Sequence, residues 1–347
     1  MKIVHFVSSL KIGGAEKLVC NLASYQKKIG YDVAIISFGP HDDLFALELK
    51  KSNINVHFIK GSFFTRNKKI IEICSDKDIL HFHSSPVIRS LCFLLPLFFF
   101  KKTIYTIHGE TNPSLVFFKL AHLFSRPFLD EVTAVSKSAR KAARLRFNWS
   151  PKKIKLIGNG VILKPKVRSK SSGDSVFRLG VVARLIELKN ISLIFKALKD
   201  FSHASKRNII LEVFGDGPLL EQLRIEAKST GIATIFHGFQ TDEDIIYSSI
   251  DVLLITSNTE GLPMSLIEAM ANGVPVISTR VGAIPDIIED KFSGLLIDVN
   301  NQTQLGNAIN YLIDNKNEVI KFTNNSQEII KNNYSIEVIA KEYALLY

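Results

Sequence analysis

The stretch TEGLPMSLIEAMANGVPVIST, Thr259 to Thr279, sets two glutamates, Glu260 and Glu268, eight residues apart around a Gly-Leu-Pro turn. The apolar runs DVLLITS and VPVIST read as buried strands, so a short helix is expected between them, starting at Pro263 and stopping at Gly273. Such a helix would have about ten residues and a length of roughly 15 Å. Glu260 then falls in the loop ahead of the helix, and Glu268 lies more than one turn inside it. The free N–H groups of the first turn can hold an anion. A carboxylate beside an anion is unfavourable unless it has hydroxyls to bind. Two glutamates and a helix start therefore suit a ligand with both a phosphate and several hydroxyls, and a nucleotide sugar is such a ligand. Taken alone, the pair would equally suit a surface glutamate and a partly exposed helix glutamate.

Arg184 and Lys189 sit five apart in a loop that follows the strand LGVVA. Two fixed cations would stabilise a departing diphosphate, each charge-assisted hydrogen bond contributing about 1.5–3 kcal/mol. Without the glutamate segment they would be read as solvated surface charges. Gly13 and Gly14 follow the first strand and open a helix, but match neither the dinucleotide fingerprint nor the phosphate loop, and a plain turn explains them. His108 ends the strand KTIYTIHG beside Gly109. His81 and His83 alternate on one strand face and read as packing or cleft lining. They are not read as metal ligands, because no carboxylate or third histidine has suitable spacing. Gly215, Asp216, Gly217 and Pro218 form a turn that turn chemistry alone explains.

These residues need elements to position them. Strand-like runs alternate with helical stretches along the whole chain, which predicts βα units and parallel sheets covered on both faces. With 347 residues, two domains are the default. A polar stretch from Lys164 to Ser175, KPKVRSKSSGDS, reads as the linker between them. The expected organisation is an acceptor-side domain over 1–165, a second domain over 166–330 and a closing helix over 331–347, whose partner the sequence leaves open. Both domains are expected to be doubly wound and Rossmann-like, facing a cleft, with ligands outside the carboxyl ends of the strands. Three cysteines, Cys20, Cys74 and Cys92, have neither zinc-site nor disulfide spacing, and the N-terminus lacks a signal-peptide core, so a cytoplasmic setting is expected.

The E-x7-E segment resembles the signature of the retaining glycosyltransferases of the large family-4 type, which have the GT-B architecture. Other segments follow in the expected order: SSLKIGGAEKLVCNLA, TIHG, AVSKSAR, IGNGV, GVVARLIELKN, VFGDGPLLEQLR and FHGF. The resemblance implies a hexosyltransferase-like enzyme that moves a sugar from a nucleotide sugar to a hydroxyl acceptor and needs no metal and no cofactor. It implies donor contacts at Gly13, Gly14, Arg184, Lys189, Gly238, Phe239, Gly261, Leu262, Met264 and Glu268. It puts Glu260 and His108 at the transferred sugar, Glu268 on the ribose and the nucleobase near Gly238 and Phe239. Ala183 and Asn190 stand where the family often has glycine. A nucleotide-sugar epimerase or phosphorylase on the same fold, or a non-catalytic assembly subunit, would share much of this pattern.

Charge adds a partner class. Residues 1–170 hold 29 Lys+Arg against 11 Asp+Glu, a net +18, which leaves −7 for the remainder of the +11 chain. The anionic partner expected on the first half is a membrane surface or a lipid phosphate, nucleic acid ranking last because no nucleic-acid-binding motif is present. The run SLCFLLPLFFFKK, Ser90 to Lys102, is too short to span a bilayer, which takes about 20 helical residues. Lys137, Lys141 and Arg144 line one face of a predicted helix, with Arg140 adjacent. The expectation is an enzyme peripheral on the inner membrane face, adding sugars to a lipid-linked saccharide in bacterial-type surface polysaccharide biosynthesis; buried helices would account for the apolar runs alone.

Overall fold

The computed structural model describes residues 1–347 except 12, 110–115, 148, 151–152, 165–175 and 202–207, with residues 116–118, 146–147 and 200–201 described by backbone alone. The predicted linker, Lys164 apart, lies outside the described residues. The chain forms two compact units, Met1–Ile162 with Tyr334–Tyr347, and Leu163–Asn333.

The first unit is a parallel sheet of β1 (Lys2–Val7), β2 (Asp32–Ser37), β3 (Asn55–Phe58), β4 (Ile79–His83), β5 (Lys102–Ile107), β6 (Glu131–Ala134) and β7 (Ile154–Leu156), in the order β3-β2-β1-β4-β5-β6-β7. The central strands are buried along nearly their whole length because helices cover both faces of the sheet, and they carry buried histidines and threonines among their apolar residues. Strand order reverses between β1 and β4, where Ile3 pairs with Ile79 and Phe6 with Phe82. The second unit repeats the plan with β8 (Val176–Val182), β9 (Asn208–Phe214), β10 (Ala233–Gly238), β11 (Val252–Ile255), β12 (Val276–Thr279) and β13 (Leu295–Ile297), in the order β10-β9-β8-β11-β12-β13. Its reversal lies between β8 and β11. In open sheets of this kind, loops leaving the carboxyl ends of the strands at the reversal form the ligand crevice.

The tail belongs to the first unit. Val161 donates its N–H to the Tyr334 carbonyl (2.9 Å), and Ile336 donates to the Val161 carbonyl (2.8 Å). The closing helix Ile336–Ala344 packs on the helix Gly14–Lys28, burying Ile336, Ile339 and Tyr343. Gly160 lies under Ile336, where a side chain would collide.

The apolar run Ser90–Lys102 divides between two environments. It continues from the helix Ser85–Leu91 through a 3-10 turn, Leu95–Phe98, into β5. Leu91, Leu94, Leu95 and Phe98 are buried, but Phe93, Leu97, Phe99 and Phe100 face outward. Among the described residues no helix is long and apolar enough to cross a membrane.

Candidate active site

In the second unit, three loops meet at the carboxyl ends of β8, β9 and β11. The loop after β8 carries Ala183, Arg184 and, in a 3-10 turn over Glu187–Lys189, Lys189. On one side the Ala183 N–H donates to Phe214 (3.0 Å) and the Leu185 N–H to Asp216 (2.9 Å), tying it to the turn after β9. On the other side Thr256 Oγ1 donates to the carbonyls of Lys189 (3.1 Å) and Asn190 (3.0 Å), and the Asn258 N–H donates to Leu188 (2.8 Å). This bracing explains the Gly-Asp-Gly-Pro turn. Gly215 has φ +146°, and a side chain there would strike the Ala183 carbonyl. It also explains one departure from the family pattern. Asn190 has φ +48° and ψ +44°, a left-handed conformation that suits glycine and that asparagine tolerates best among the others.

The glutamate segment departs slightly from its expected form. Pro263 is extended (φ −70°, ψ 129°) and precedes the helix, which runs over Met264–Ala271 and ends before Gly273 at φ +70°. The start predicted at Pro263 is therefore one residue early, and the helix has eight residues. Glu268 lies inside it, as expected. Leu262 and Met264 are buried in the core, leaving their backbone as the part that can face a ligand.

Glu260 and Lys189, read separately from sequence, meet. The Glu260 Oε1 accepts hydrogen bonds from Lys189 Nζ and from Ser257 Oγ, both at 2.6 Å. Its side chain is only 8% exposed, against 24% for Lys189. The ammonium thus offsets the carboxylate that would otherwise repel an anion here. Gly282 (φ +59°) sits against the Glu260 carbonyl so closely that a side chain could not fit, and the neighbouring Ala283 N–H donates to Gly261 (2.9 Å). Arg184 is exposed, and among the described residues its guanidinium has no ion-pair partner. Glu268 is 7% exposed and accepts from the Tyr247 hydroxyl at 2.8 Å. Burial first, and then the nearby carboxylates, push the Tyr247 phenol well above its usual range, so it stays a donor. Gly238 (φ +68°) ends β10, and its carbonyl accepts from the Gly215 N–H (2.7 Å), which brings Gly238 and Phe239 beside the Gly-Asp-Gly-Pro turn.

In the first unit, Gly13 is the residue before the helix Gly14–Lys28, and the Glu16 carboxylate occupies the space a side chain at Gly13 would take. His108 follows β5. Spacing along the chain gives His81 and His83 no third histidine, but the fold does. His5, on the neighbouring β1, supplies the missing third histidine, and one nitrogen from each of the three lies within 4.8 Å of the others. His5 Nδ1 and His83 Nε2 are 3.0 Å apart, and His83 Nδ1 and His108 Nε2 are also 3.0 Å apart. Burial holds His81 and His83 well below the usual range and brings His5 and His108 to about 4, so all four are neutral at pH 7.

Ser257, Tyr247 and Gly282 carried no signal in the sequence reading. Ser257 alone lies next to a recognised motif; Tyr247 reaches Glu268 from a separate helix.

Comparison with known proteins fits this geometry. The model described as Glycosyltransferase Family 4 matches residues 12–164, and the one described as Glycosyl transferases group 1 matches residues 165–333. The chain is 26% identical, over 100% of its length and 98% of the relative's, to GalNAc-alpha-(1->4)-GalNAc-alpha-(1->3)-diNAcBac-PP-undecaprenol alpha-1,4-N-acetyl-D-galactosaminyltransferase of Campylobacter jejuni. It is 23% identical to UDP-Gal:alpha-D-GlcNAc-diphosphoundecaprenol alpha-1,3-galactosyltransferase of Escherichia coli, over 69% of this chain and 67% of that one. Anabaena Alr3699/HepE in complex with UDP-glucose shares the fold, with a TM-score of 0.85 at 20% identity over 99% of this chain and 98% of that one. Two doubly wound units, the E-x7-E segment braced at a sheet reversal and two family models that meet end to end over residues 12–333 give one conclusion: the chain belongs to the family-4 type of glycosyltransferases and has their GT-B fold.

Proposed function

We propose that this glycosyltransferase takes a sugar from a uridine-diphosphate sugar and adds it, with retention of anomeric configuration, to a hydroxyl of a lipid-linked saccharide in surface polysaccharide assembly. The observation that carries the donor half is the Lys189–Glu260–Ser257 cluster at the start of the Met264–Ala271 helix, with the exposed Arg184 in the loop that carries Lys189. Arg184, Lys189 and the helix start would take the diphosphate, Glu260 the sugar hydroxyls and Glu268 the ribose. Positive charge fixed there before the reaction stabilises the leaving group without reorganisation. Gly261, Leu262 and Met264 would contribute backbone at the helix start, and Gly238 with Phe239 would flank the base. Gly13, Gly14 and His108 would meet the donor from the first unit. These groups would do the work of a divalent ion, so metal is not required in this reading. The relatives' names supply the uridine nucleotide and the diphosphoundecaprenol-linked acceptor class.

The first unit supports a cytoplasmic enzyme held on the inner membrane face. Phe93, Leu97, Phe99 and Phe100 are 63–97% exposed, and Leu120, Leu123 and Phe124 of the helix Val116–Ser125 join them, with Phe93 and Phe124 ring centroids 5.7 Å apart. That helix packs in turn on Lys137–Phe147, whose Lys137, Lys141 and Arg144 are exposed while Ala139 and Ala143 are buried. An apolar patch beside a basic helix suits an anionic bilayer, where each basic residue contributes about 1 kcal/mol.

The test of the donor and acceptor is a transfer assay with a panel of UDP-sugars and diphosphoundecaprenol-linked saccharides, with product stereochemistry read by NMR. Transfer from one of them with the anomeric configuration kept supports the reading; donor hydrolysis or epimerisation without transfer refutes it. Docking is tested by sedimentation with anionic and neutral liposomes at low and high salt. Binding to anionic vesicles alone, lost in salt and in Lys137/Lys141/Arg144→Glu, is expected. Equal binding to neither or both refutes it.

A further inference from the structure

Four side chains of the first unit form one line of hydrogen bonds. Gln26 Oε1 lies 2.8 Å from His5 Nε2, His5 Nδ1 3.0 Å from His83 Nε2, and His83 Nδ1 3.0 Å from His108 Nε2. The far end, His108 Nδ1, is buried and has no partner among the described residues. Each neutral imidazole carries one N–H and one bare nitrogen, so the direction of any bond sets all the others. Only two directions exist. If Gln26 donated, every N–H would point toward His108, and the line would end in a buried Nδ1–H with no acceptor. If Gln26 accepts, every donor is matched: His5 Nε2–H to Gln26, His83 Nε2–H to His5, His108 Nε2–H to His83. An orphaned buried donor is the rarer and costlier defect, while a bare lone pair is tolerated more often.

The near end agrees. Gln26 Nε2 donates to the Tyr347 hydroxyl at 2.7 Å, which leaves its carbonyl oxygen for His5. Tyr347 in turn lies 3.4 Å from His81 Nδ1, and His81 Nε2 lies 2.7 Å from Thr106 Oγ1. A metal ion bound through His5 Nδ1 and His83 Nε2 would need both nitrogens bare. Their 3.0 Å separation is instead that of a shared proton.

We propose that Gln26, through His5 and His83, fixes the proton of His108 on Nε2 and leaves its Nδ1 bare. The tautomer stands on the line and its unpartnered end; its bearing on sugar transfer rests on the donor reading given above. Gln26, His5 and His83 are then positioning residues, and Tyr347 orients the first of them. Their burial supports the scheme, since no member gains a second proton near pH 7.

The test is long-range ¹H–¹⁵N correlation NMR on the full chain labelled at histidine nitrogens, treated with EDTA, with His108 assigned from the spectrum of His108→Asn. Expected are Nε2–H tautomers at His5, His83 and His108. In Gln26→Leu His108 should populate both tautomers, while in Gln26→Glu, which keeps an acceptor, it should remain Nε2–H. A wild-type His108 protonated on Nδ1, an unchanged His108 in Gln26→Leu, or metal-shifted nitrogens that return on adding Zn²⁺ at stoichiometric levels would overturn the proposal. Kinetics give the second readout. Gln26→Leu should lower kcat/KM for the nucleotide sugar about tenfold, the worth of one hydrogen bond, with UDP affinity unchanged, and Gln26→Glu should restore most of it. A parental kcat/KM in Gln26→Leu would overturn the role in transfer. Absence of transfer in the wild type would instead strike the donor reading and leave the tautomer result standing.

Discussion

Replacing Lys189 by methionine removes the cation bonded to a carboxylate that is 8% exposed, while keeping most of the lysine stem's volume. A buried charge deprived of its partner costs about 3–5 kcal/mol; with Lys189 a quarter exposed and Ser257 still donating, about 2–3 kcal/mol is expected. Glu260→Gln is milder. The amide oxygen can still accept from Ser257, and the ammonium reaches water, so about 1 kcal/mol is expected. The double variant leaves no buried charge and should cost little more than Glu260→Gln, giving a coupling of about 2 kcal/mol. For a unit the size of Leu163–Asn333 each kcal/mol moves Tm by about 2–4 °C, so Lys189→Met should melt roughly 4–12 °C low and regain most of that loss when Glu260→Gln is added. Differential scanning calorimetry of the four proteins at one pH measures this. Additive effects of the two substitutions, or a Lys189→Met protein that melts with the parent, would refute the claim that the ion pair neutralises the carboxylate. Donor turnover should not be rescued in the double variant, because both groups are proposed to touch the substrate.

Arg184→Ala removes an exposed guanidinium that has no ion pair among the described residues, so sugar transfer should fall on the order of 10²–10³ with Tm unchanged; steady-state kinetics and a melting curve check both. Glu268→Ala should weaken UDP binding in calorimetry, whereas Glu260→Gln should lower kcat with UDP affinity nearly intact. Acid should destabilise the first unit. His5 has its folded value lowered from 6.5 to about 4, so the unfolded chain binds the proton first, and stability present above pH 6.5 is lost as pH falls toward 4. For His5 alone the loss between pH 7.5 and 5.5 is about 1.4 kcal/mol, with His81, His83 and His108 acting in the same direction. Calorimetric Tm against pH measures it, and His5→Gln should flatten the slope.

Much of the second unit's site was legible because its residues lie close together along the chain. Glu260 and Glu268 are positioned by one loop and one short helix, and Arg184 and Lys189 by one loop, so local pattern locates each pair. The left-handed backbone at Asn190 was legible only as a departure from glycine, since the conformation belongs to the bracing by Thr256, Asn258 and Asn300. Tyr247 was not legible at all. It stands 21 positions from Glu268 in another helix, and only packing of the second sheet brings its hydroxyl there.

The sequence by itself determined the parallel α/β class, the placing of both glutamates near a helix start, the concentration of positive charge in the first half and the absence of disulfide spacing. Period, turn residues and composition are properties of neighbours along the chain, and these features depend on nothing else. The tertiary structure alone decided that Lys189 pairs with Glu260, that the C-terminal helix returns to the first unit, and that a third histidine completes the row of His81 and His83. Such pairings depend on strand order. β1 and β4 are neighbours although more than seventy residues separate His5 from His83, and no spacing rule spans a crossover connection of that length.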